Sequence, residues 1–205
     1  MSKIKTIIFD LGGVLIDWNP EYVFLDVFQG NREKMDWFLK NICTSAWNEN
    51  QDAGYPLEKA TQELVLQHPE YAELIKMFYG RWTEMLGGPI AGTVDILEKL
   101  VNSKRYKVVA LTNWSQETFP IALERFEFLK WFEGIVVSGD EKTRKPFKAI
   151  YDITLKRFKI KPDQAIFIDD NLRNVEAANT LGIHGIHFKT PELLIQQLEK
   201  NNISL

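Results

Sequence analysis

Short apolar runs rich in β-branched residues recur along this chain, and from about residue 94 onward they alternate with amphipathic helical patterns. Five runs have the length and composition of buried strands. They cover residues 4–9, 107–112, 134–137, 165–168 and 183–188. Between the later runs, apolar residues recur three or four positions apart, as in helices that pack on one face. This alternation predicts an α/β fold, with a parallel sheet covered by helices on both faces.

The segment between the first and second runs differs, because it shows four amphipathic helical patterns and no convincing strand. Residues 18–20 and 87–89 bound it, and the Gly and Pro in them disfavour continuation of a helix. We therefore predict an α/β core formed by residues 1–16 and 88–205. A helical domain of residues 17–87 is inserted after the first strand.

The composition excludes several classes of function. The 205 residues include 25 Lys and Arg against 28 Asp and Glu, a formal net charge of −3 that gives no basic field for nucleic-acid phosphates. No run reaches the roughly 18 apolar residues of a membrane helix, and the first residues lack a secretory signal pattern. We expect a cytoplasmic protein whose partner is a small molecule, with no nucleic acid and no membrane. The sequence leaves the oligomeric state open.

Polar side chains follow four of the predicted strands. Ligands of open parallel sheets bind outside the carboxyl ends of the strands, so these groups are expected to share one site. In chain order the groups are Asp10, Thr112 with Asn113, Lys145, and Asp169 with Asp170.

These residue types suit phosphoryl transfer. The carboxylate of Asp10 can attack phosphorus and form an aspartyl-phosphate, which divides one difficult step into two easier ones. An oxygen-rich site completed by Asp169 or Asp170 suits Mg²⁺, which would relieve the repulsion between carboxylate and phosphate. Lys145 and Thr112 can hold phosphoryl oxygens by charge and by hydrogen bonding.

Each group alone also has a purely structural interpretation. An Asp before two glycines is typical of a turn, and Thr112-Asn113 suits a turn or a helix cap. Lys145 before Pro146 is typical of a solvated residue ahead of a helix, and acidic residues such as Asp169 and Asp170 favour helix N-termini. The occurrence of all four groups at successive strand ends favours a shared catalytic site.

The stretches at these strand ends form an ordered set of motifs. They are Phe9-Asp10-Leu11-Gly12-Gly13-Val14-Leu15, Leu111-Thr112-Asn113, Arg144-Lys145-Pro146 and Ile168-Asp169-Asp170-Asn171. With them the chain resembles the haloacid dehalogenase-like (HAD) hydrolase superfamily. The resemblance implies a Rossmann-like parallel sheet and a helical cap that closes over the substrate, with hinges at residues 16–19 and 85–89. Most members are Mg²⁺-dependent phosphatases, so the implied substrate is a small phosphorylated metabolite.

The resemblance also implies roles for individual residues. Asp10 would be the nucleophile, and Thr112 and Lys145 would bind the phosphate. Asn113, Trp114 and Gly12 are expected to lie against the substrate. The implied Mg²⁺ ligands are the Asp10 carboxylate, the backbone carbonyl of Gly12, and Asp169 or Asp170, with Asp170 the expected direct ligand.

Gly12 departs from the usual phosphatase pattern, which has a second Asp at this position as general acid and base. General acid–base catalysis is typically worth about 10²–10⁴ in rate, so poor leaving groups should react slowly unless another acid substitutes. Asp17 is one candidate for that acid, and an N-cap or hinge role is the alternative. Sugar phosphates with a good leaving group would also fit. The stretch around Asp10 resembles a subgroup that includes a sugar-1-phosphate phosphatase.

Three other functions are weighed against a phosphatase. A 2-haloacid dehalogenase shares the fold and the Asp nucleophile, needs no metal and tolerates Gly12, but the pair Asp169-Asp170 disfavours it. A weakly active phospho-ligand-binding protein is supported by Gly12 alone. A phosphorylation-dependent receiver domain uses similar residues, but its acid pair comes early in the chain rather than late.

Aromatic and polar residues outside the motifs are candidates for substrate contacts. Trp18, Trp47 and Trp114 would suit the wall of a sugar-binding pocket, and core packing is the alternative. The polar run of residues 48–54 is interpreted either as a substrate-specificity loop or as a solvated connection between helices.

Overall fold

A parallel sheet lies at the centre of the computed structural model, which describes residues 3–205. The strands in chain order are β1 (Thr6–Phe9), β2 (Ile16–Trp18), β3 (Leu86–Pro89), β4 (Lys107–Thr112), β5 (Ile135–Val137), β6 (Ala165–Asp169) and β7 (His184–His187). Five of them form one sheet in the order β5-β4-β1-β6-β7, and every neighbouring pair is parallel. The predicted α/β fold is therefore confirmed.

The helices connect these strands and cover the sheet. The α-helices are α1 (Glu21–Val27), α2 (Arg32–Asn41), α3 (Ser45–Asp52), α4 (Leu57–Gln67), α5 (Ala72–Gly80), α6 (Ala91–Ser103), α7 (Phe119–Arg125), α8 (Ser138–Glu141), α9 (Lys148–Arg157), α10 (Leu172–Thr180) and α11 (Pro191–Lys200). Short 3₁₀ helices cover Pro69–Tyr71, Trp82–Met85, Glu127–Trp131 and Pro162–Gln164. None of the helices in residues 3–205 is both long enough and apolar enough to cross a membrane.

β1 lies between β4 and β6, and its central place explains its apolar sequence. All four of its residues are buried, since both faces of the sheet are covered. Successive side chains point to opposite faces. Ile7 and Phe9 join one apolar cluster, and Ile8 joins a second cluster with Ile150 and Tyr151 of α9.

The register of the three central strands brings their carboxyl ends together. Phe9 pairs with Ala110 of β4 on one side and with Ile168 of β6 on the other. Consequently the residues that follow β1, β4 and β6 emerge at one edge of the sheet. This edge is the place at which the sequence predicts the site.

Residues 19–85, called the helical segment below, lie between β2 and β3 and contain α1 to α5. The four helical patterns seen in the sequence correspond to α1, α2, α4 and α5. Aromatic rings hold these helices together, with Phe24 5.1 Å from Phe38 and 6.1 Å from Phe78 between ring centroids. The division of the chain into a core and an inserted domain at residues 17–87 stays a prediction.

Two features at the ends of the helical segment differ from the sequence prediction of helices alone. β2 and β3 pair antiparallel, with Asp17 opposite Gly88, where the chain leaves the core and returns to it. Three or four residues with two glycines give too short a pattern to indicate a strand. Their pairing depends on the two chain passages lying side by side.

The polar run of residues 48–54 was predicted to be a loop or a connection between helices, but its first five residues belong to α3. Thr44 caps this helix by accepting a hydrogen bond from the backbone N–H of Trp47 at 3.0 Å. α3 has few apolar residues, so hydrophobic periodicity did not reveal it.

Candidate active site

A buried lysine joins two aspartates at the carboxyl edge of the sheet. Lys145 Nζ lies 2.8 Å from Asp10 Oδ1 and 2.7 Å from Asp169 Oδ2, and it also donates to the Leu111 carbonyl oxygen at 3.1 Å. The side chain of Lys145 has no exposed surface. A buried ammonium is tolerated only with such paired and hydrogen-bonded partners. The three predicted groups therefore form one connected charge cluster.

Asn113 fixes the backbone of the loop that carries Lys145. Its Oδ1 accepts from the Lys145 backbone N–H at 2.8 Å, and its Nδ2 donates to the Lys145 carbonyl oxygen at 3.0 Å. The Lys145–Pro146 peptide bond is cis. Asn113 thus positions the lysine, in addition to lining the cavity described below.

Asp169 is fully buried and its carboxylate is held on several sides. Its Oδ1 accepts from the backbone N–H of Asn171 at 2.8 Å, and Asn174 Nδ2 lies 3.1 Å from both carboxylate oxygens. Asp169 is therefore a rigid anchor for Lys145. The next residue, Asp170, is exposed at the rim of the site.

Gly13 makes room for Asp170. The φ angle of Gly13 is +71°, in the left-handed region, and a Cβ at this position would lie 2.4 Å from Asp170 Oδ2. Any side chain here would be strained and would displace the carboxylate. The second glycine of the first motif is thus explained by the close approach of the strand β6 end to the strand β1 end.

The environment of Asp10 disfavours its ionised form in the absence of further positive charge. Burial raises the pKa of Asp10 well above its ordinary range; the attraction of Lys145 opposes this, and the carboxylates of Asp169 and Asp170 add to it. Its Oδ1 also accepts from the backbone N–H of Leu11 at 2.7 Å. A nucleophilic carboxylate must be ionised, and a cation bound beside Asp10 would favour that form.

Three carboxylates supply suitable donors for such a cation. One oxygen each of Asp10, Asp169 and Asp170 lies within 4.8 Å of the others. A set of hard oxygen donors with excess negative charge fits Mg²⁺. Asp169 already accepts four hydrogen bonds or ion pairs, so Asp10 and the exposed Asp170 have more free lone pairs for a metal.

Thr112 ends β4 with a buried hydroxyl that has no hydrogen-bond partner among the described residues. A buried polar atom without a hydrogen-bond partner lowers the stability of the fold, and a bound ligand is one explanation for its presence. Thr112 is not among the residues that line the cavity described next. The hydroxyl is nevertheless free to donate a hydrogen bond, as a phosphate-binding role would require.

A cavity of about 230 Å³ lies between this edge of the sheet and the helical segment. Asp10, Gly12 and Asp170 line it from the sheet side, together with residues that follow β4. Asn48, Asp52, Tyr79 and Trp82 line it from the helical segment. A small molecule held here would contact both parts of the chain.

Indole rings form part of the cavity wall. Trp18, Trp82 and Trp114 line it, and the rings of Trp82 and Trp114 meet edge-on with centroids 5.7 Å apart. The buried Nε1 of Trp18 has no acceptor among the described residues. Trp47, in contrast, packs against Phe78 within the helical segment. Of the three tryptophans that the sequence suggested for a pocket wall, Trp18 and Trp114 line the cavity, and the sequence did not suggest Trp82.

Asp17, the predicted substitute acid, lies beside the cavity wall rather than in it. Its Oδ2 accepts a hydrogen bond from the phenol of Tyr22 at 2.5 Å, and the residue is not among those that line the cavity. Asp17 pairs with Gly88 across β2 and β3. Its role as an acid stays a prediction.

Asp52 is an acidic group of the cavity that the motifs did not indicate. Asn48 Nδ2 donates to its Oδ2 at 3.1 Å, and Tyr79 OH in turn donates to Asn48 Oδ1 at 2.8 Å. Burial raises the pKa of Asp52 to about 7; Glu49 contributes to this rise, and Arg144 and Lys145 oppose it. The only signal in the sequence was the spacing of Asn48 and Asp52, one helical turn apart within the polar run.

Ion pairs connect α3 to the loops of the sheet edge. Glu49 contacts Arg144 Nη2 at 2.6 Å and Arg173 Nη2 at 2.5 Å through separate carboxylate oxygens. Glu117 Oε1 accepts from the backbone N–H of Leu57 at the start of α4, at 2.9 Å. These contacts hold the helical segment against the residues that surround Lys145.

Comparison with known proteins agrees with this architecture. The chain is 27% identical over 192 residues to a phosphorylated carbohydrates phosphatase of Thermotoga maritima, which covers 90% of this chain and 84% of that protein. The fold of this chain is similar to that of a HAD family enzyme from Bacteroides thetaiotaomicron in complex with magnesium. The TM-score is 0.71, and the two chains are 22% identical, with 92% of this chain and 95% of that one covered.

The fold is also shared with a dehalogenase. The L-2-haloacid dehalogenase of Xanthobacter autotrophicus matches with a TM-score of 0.60 and 16% identity, over 98% of this chain and 85% of that one. A family model described as haloacid dehalogenase-like hydrolase matches residues 7–188. Because this match spans most of the chain, the protein belongs to the haloacid dehalogenase-like family and is a hydrolase.

Proposed function

We propose that this protein is a Mg²⁺-dependent phosphatase that hydrolyses a small phosphorylated metabolite through an aspartyl-phosphate on Asp10. One observation carries the proposal. The buried ammonium of Lys145 is held between Asp10 and Asp169, with the exposed carboxylate of Asp170 close enough to complete a cation site. This arrangement combines a nucleophile that lines the cavity with a fixed positive charge beside it.

In the first step Asp10 attacks phosphorus in line with the leaving oxygen. The Lys145 ammonium lies against the attacking carboxylate, where it offsets charge on the phosphoryl oxygens as the bond forms. The hydroxyl of Thr112 donates to a phosphoryl oxygen and gains the partner that it otherwise lacks. Asp169 keeps Lys145 charged and in place.

Mg²⁺ would be held by Asp10, by Asp170 and by the backbone carbonyl of Gly12, with Asp169 as a further acidic neighbour. When bound, it supplies positive charge that offsets the repulsion between the carboxylates and the phosphate. The raised pKa of Asp10 supports this assignment, because a bound cation would favour the ionised form of the nucleophile.

In the second step water hydrolyses the aspartyl-phosphate and releases inorganic phosphate. We assign the helical segment as a cap over the cavity, with hinges at residues 16–19 and 85–89. Closure limits the reaction to water admitted with the substrate. The antiparallel pairing of β2 with β3 supports this assignment, because the two chain passages at the ends of the segment lie side by side.

The cavity supports a substrate of the size and polarity of a sugar phosphate. Its indole walls offer flat apolar faces, and Trp18 Nε1 and Asn48 offer polar contacts. The named activity of the Thermotoga maritima relative, on phosphorylated carbohydrates, is consistent with this substrate class.

A metal-independent 2-haloacid dehalogenase is the second candidate. Gly12 favours it, since halide needs no protonated leaving group, and the fold is shared with a known dehalogenase. The clustered carboxylates of Asp10, Asp169 and Asp170 disfavour it, because a metal-free site has no use for three acids within 4.8 Å. Halide release from 2-haloacids in the presence of EDTA tests this alternative.

Phosphate release from para-nitrophenyl phosphate and a panel of sugar phosphates tests the proposal, with Mg²⁺ and with EDTA. We expect wild-type activity that requires Mg²⁺ and falls to background in Asp10→Asn, since the amide cannot attack phosphorus. Asp152→Asn, an exposed acid that pairs with Lys148 on α9, is the matched control. Activity that persists in Asp10→Asn or in EDTA would contradict the proposed mechanism.

A further inference from the structure

We propose that Asp52 of α3 is the general acid that protonates the leaving group, in place of the acid that is absent at Gly12. The inference rests on the proposed phosphatase function. Asp52 and Asp10, the proposed nucleophile, line the same cavity, one from the helical segment and one from the sheet edge. A substrate bound between them presents its phosphoryl group to Asp10 and its leaving group toward α3.

The backbone at Asp52 is fixed to the sheet edge. Ser138 Oγ donates to the Asp52 carbonyl oxygen at 2.5 Å and accepts from the backbone N–H of Trp114 at 2.8 Å. A Cβ at Gly54 would lie 2.6 Å from the Gly139 carbonyl oxygen, which shows how closely the two chain segments approach. The C-terminal end of α3 is therefore fixed in position relative to the loops of the sheet edge.

The side chain of Asp52 is oriented by its neighbours. Asn48 Nδ2 holds its Oδ2, and Tyr79 OH holds Asn48. Asn48 and Tyr79 therefore act as positioning residues. The charged and titratable groups around the carboxylate are Glu49 on its own helix, Tyr79 on α5, and Arg144 and Lys145 on the loop before α9.

The protonation state suits the role. Burial raises the pKa of Asp52 to about 7, so a substantial fraction of the carboxyl is protonated near neutral pH, unlike that of an ordinary Asp. Arg144 and Lys145 limit the rise, which keeps the group able to lose its proton as well as to carry it.

The proton balance closes over the two steps. As the Asp10 oxygen bonds to phosphorus, the bond from phosphorus to the substrate oxygen breaks and the Asp52 proton passes to that oxygen, so that a neutral alcohol leaves. In the second step Asp52, now ionised, takes a proton from the attacking water. The bond from phosphorus to Asp10 then breaks, inorganic phosphate departs, and both carboxyl groups return to their starting states.

Gly12 leaves open the space that an acid would occupy in the usual pattern. A Cβ built there meets no atom within 4 Å among the described residues. The first atom of a side chain at this position therefore meets open space. This allows a rescue experiment in which the acid is moved from α3 to the first motif.

The first test compares leaving groups. Asp52→Asn is expected to lower kcat/KM on alkyl phosphates by about 10²–10⁴, and to lower it far less on 2,4-dinitrophenyl phosphate, whose leaving group needs no proton. Asp36→Asn, an exposed acid on α2, controls for a surface charge change in the same segment. Equal losses on both substrates, or a selective loss in Asp17→Asn instead, would overturn the proposal.

The second test follows pH. For wild type, kcat/KM on alkyl phosphates is expected to fall as pH rises through about 7, because the acid loses its proton, and Asp52→Asn should lack this limb. Carbon-13 NMR of Asp-labelled protein, with and without Mg²⁺, should show a carboxyl resonance titrating near pH 7 that is missing in Asp52→Asn. If the resonance that is missing in Asp52→Asn titrates at an ordinary Asp pKa in the wild type, the assignment is contradicted.

Rescue is the third test. Adding Gly12→Asp to Asp52→Asn should restore hydrolysis of alkyl phosphates, whereas an acid in the first motif would not replace a merely structural role of Asp52 in α3. Circular dichroism and thermal unfolding establish that each variant is folded. If wild type releases phosphate but none of these effects is seen, the inference alone fails. If wild type releases no phosphate from any substrate, the proposed function fails with it.

Discussion

At the scale of single residues, the site is shaped by groups whose bonding is incomplete without a ligand. Thr112 Oγ1 is buried and unpaired, and Asp10 lies beside two further carboxylates with a single ammonium as counter-charge. Such features lower the stability of the free protein. They are retained where a substrate or a metal ion completes them.

Thr112 provides a prediction whose signs differ for stability and for binding. Thr112→Val removes a hydroxyl that has no partner, so we expect the free energy of unfolding to rise by about 1 kcal/mol without substrate. Inorganic phosphate should inhibit the variant more weakly than it inhibits wild type. Urea unfolding and phosphate inhibition measure the two effects.

Thr112→Ser is the matched control, since it keeps the hydroxyl and loses the methyl group. It should retain phosphate inhibition and be less stable than wild type. A Thr112→Val protein that is destabilised and binds phosphate normally would show that the hydroxyl serves the fold and not the site.

At the scale of secondary structure, α3 is the element that connects the helical segment to the chemistry. Its sequence is polar because Asn48 and Asp52 line the cavity and an acidic residue forms ion pairs with the loops of the sheet edge. Glu49 forms both ion pairs, with Arg144 at one carboxylate oxygen and Arg173 at the other. Because these pairs are partly exposed, they position the helix more than they stabilise the whole fold.

We therefore expect Glu49→Gln to loosen α3 locally. Backbone amides of residues 45–52 should exchange with solvent faster, and KM for phosphorylated substrates should rise, while the free energy of global unfolding changes by less than about 1 kcal/mol. Hydrogen-exchange mass spectrometry measures the effect. Glu58→Gln on α4 is the control, and unchanged exchange in α3 would refute a positioning role for Glu49.

At the scale of the whole molecule, the fold concentrates negative charge at one edge of the sheet. β1 and β6 are adjacent and parallel, so the acids that follow them are brought together by the register alone. An ion that binds this edge links two strands of the core, and its binding energy adds to the stability of the fold.

Mg²⁺ should accordingly stabilise the folded chain. We expect the Tm to rise with Mg²⁺ concentration, by the equivalent of about 2.7 kcal/mol at 100 times the dissociation constant. The effect should weaken as pH falls, because protons compete for carboxylates whose pKa values are raised. Thermal unfolding with Mg²⁺ and with EDTA measures it.

Asp170→Asn should lose most of this stabilisation, and the exposed Asp152→Asn should keep it. If the Tm of wild type is identical in Mg²⁺ and in EDTA, the proposal that the protein binds Mg²⁺ is contradicted.

The sequence by itself determined the five strands of the central sheet, most of the helices and the residues of the four motifs. These are local signals, since β-branched runs, helical periodicity and polar residues at strand ends can be read within a few positions. Asp10, Lys145 and Asp169 could be expected to meet because parallel strands end at a common edge, and the structure places them in contact.

Only the tertiary structure decided which part of the helical segment faces the motifs. α3 has little hydrophobic periodicity, and its place depends on Ser138, Arg144 and Arg173, which are far away in the chain. The assignment of Asp52, Trp82 and Tyr79 to the cavity, and of Trp47 to the packing of the helical segment, follows from that docking. Burial then sets the pKa of Asp52, and burial is a property of the assembled fold and not of local sequence.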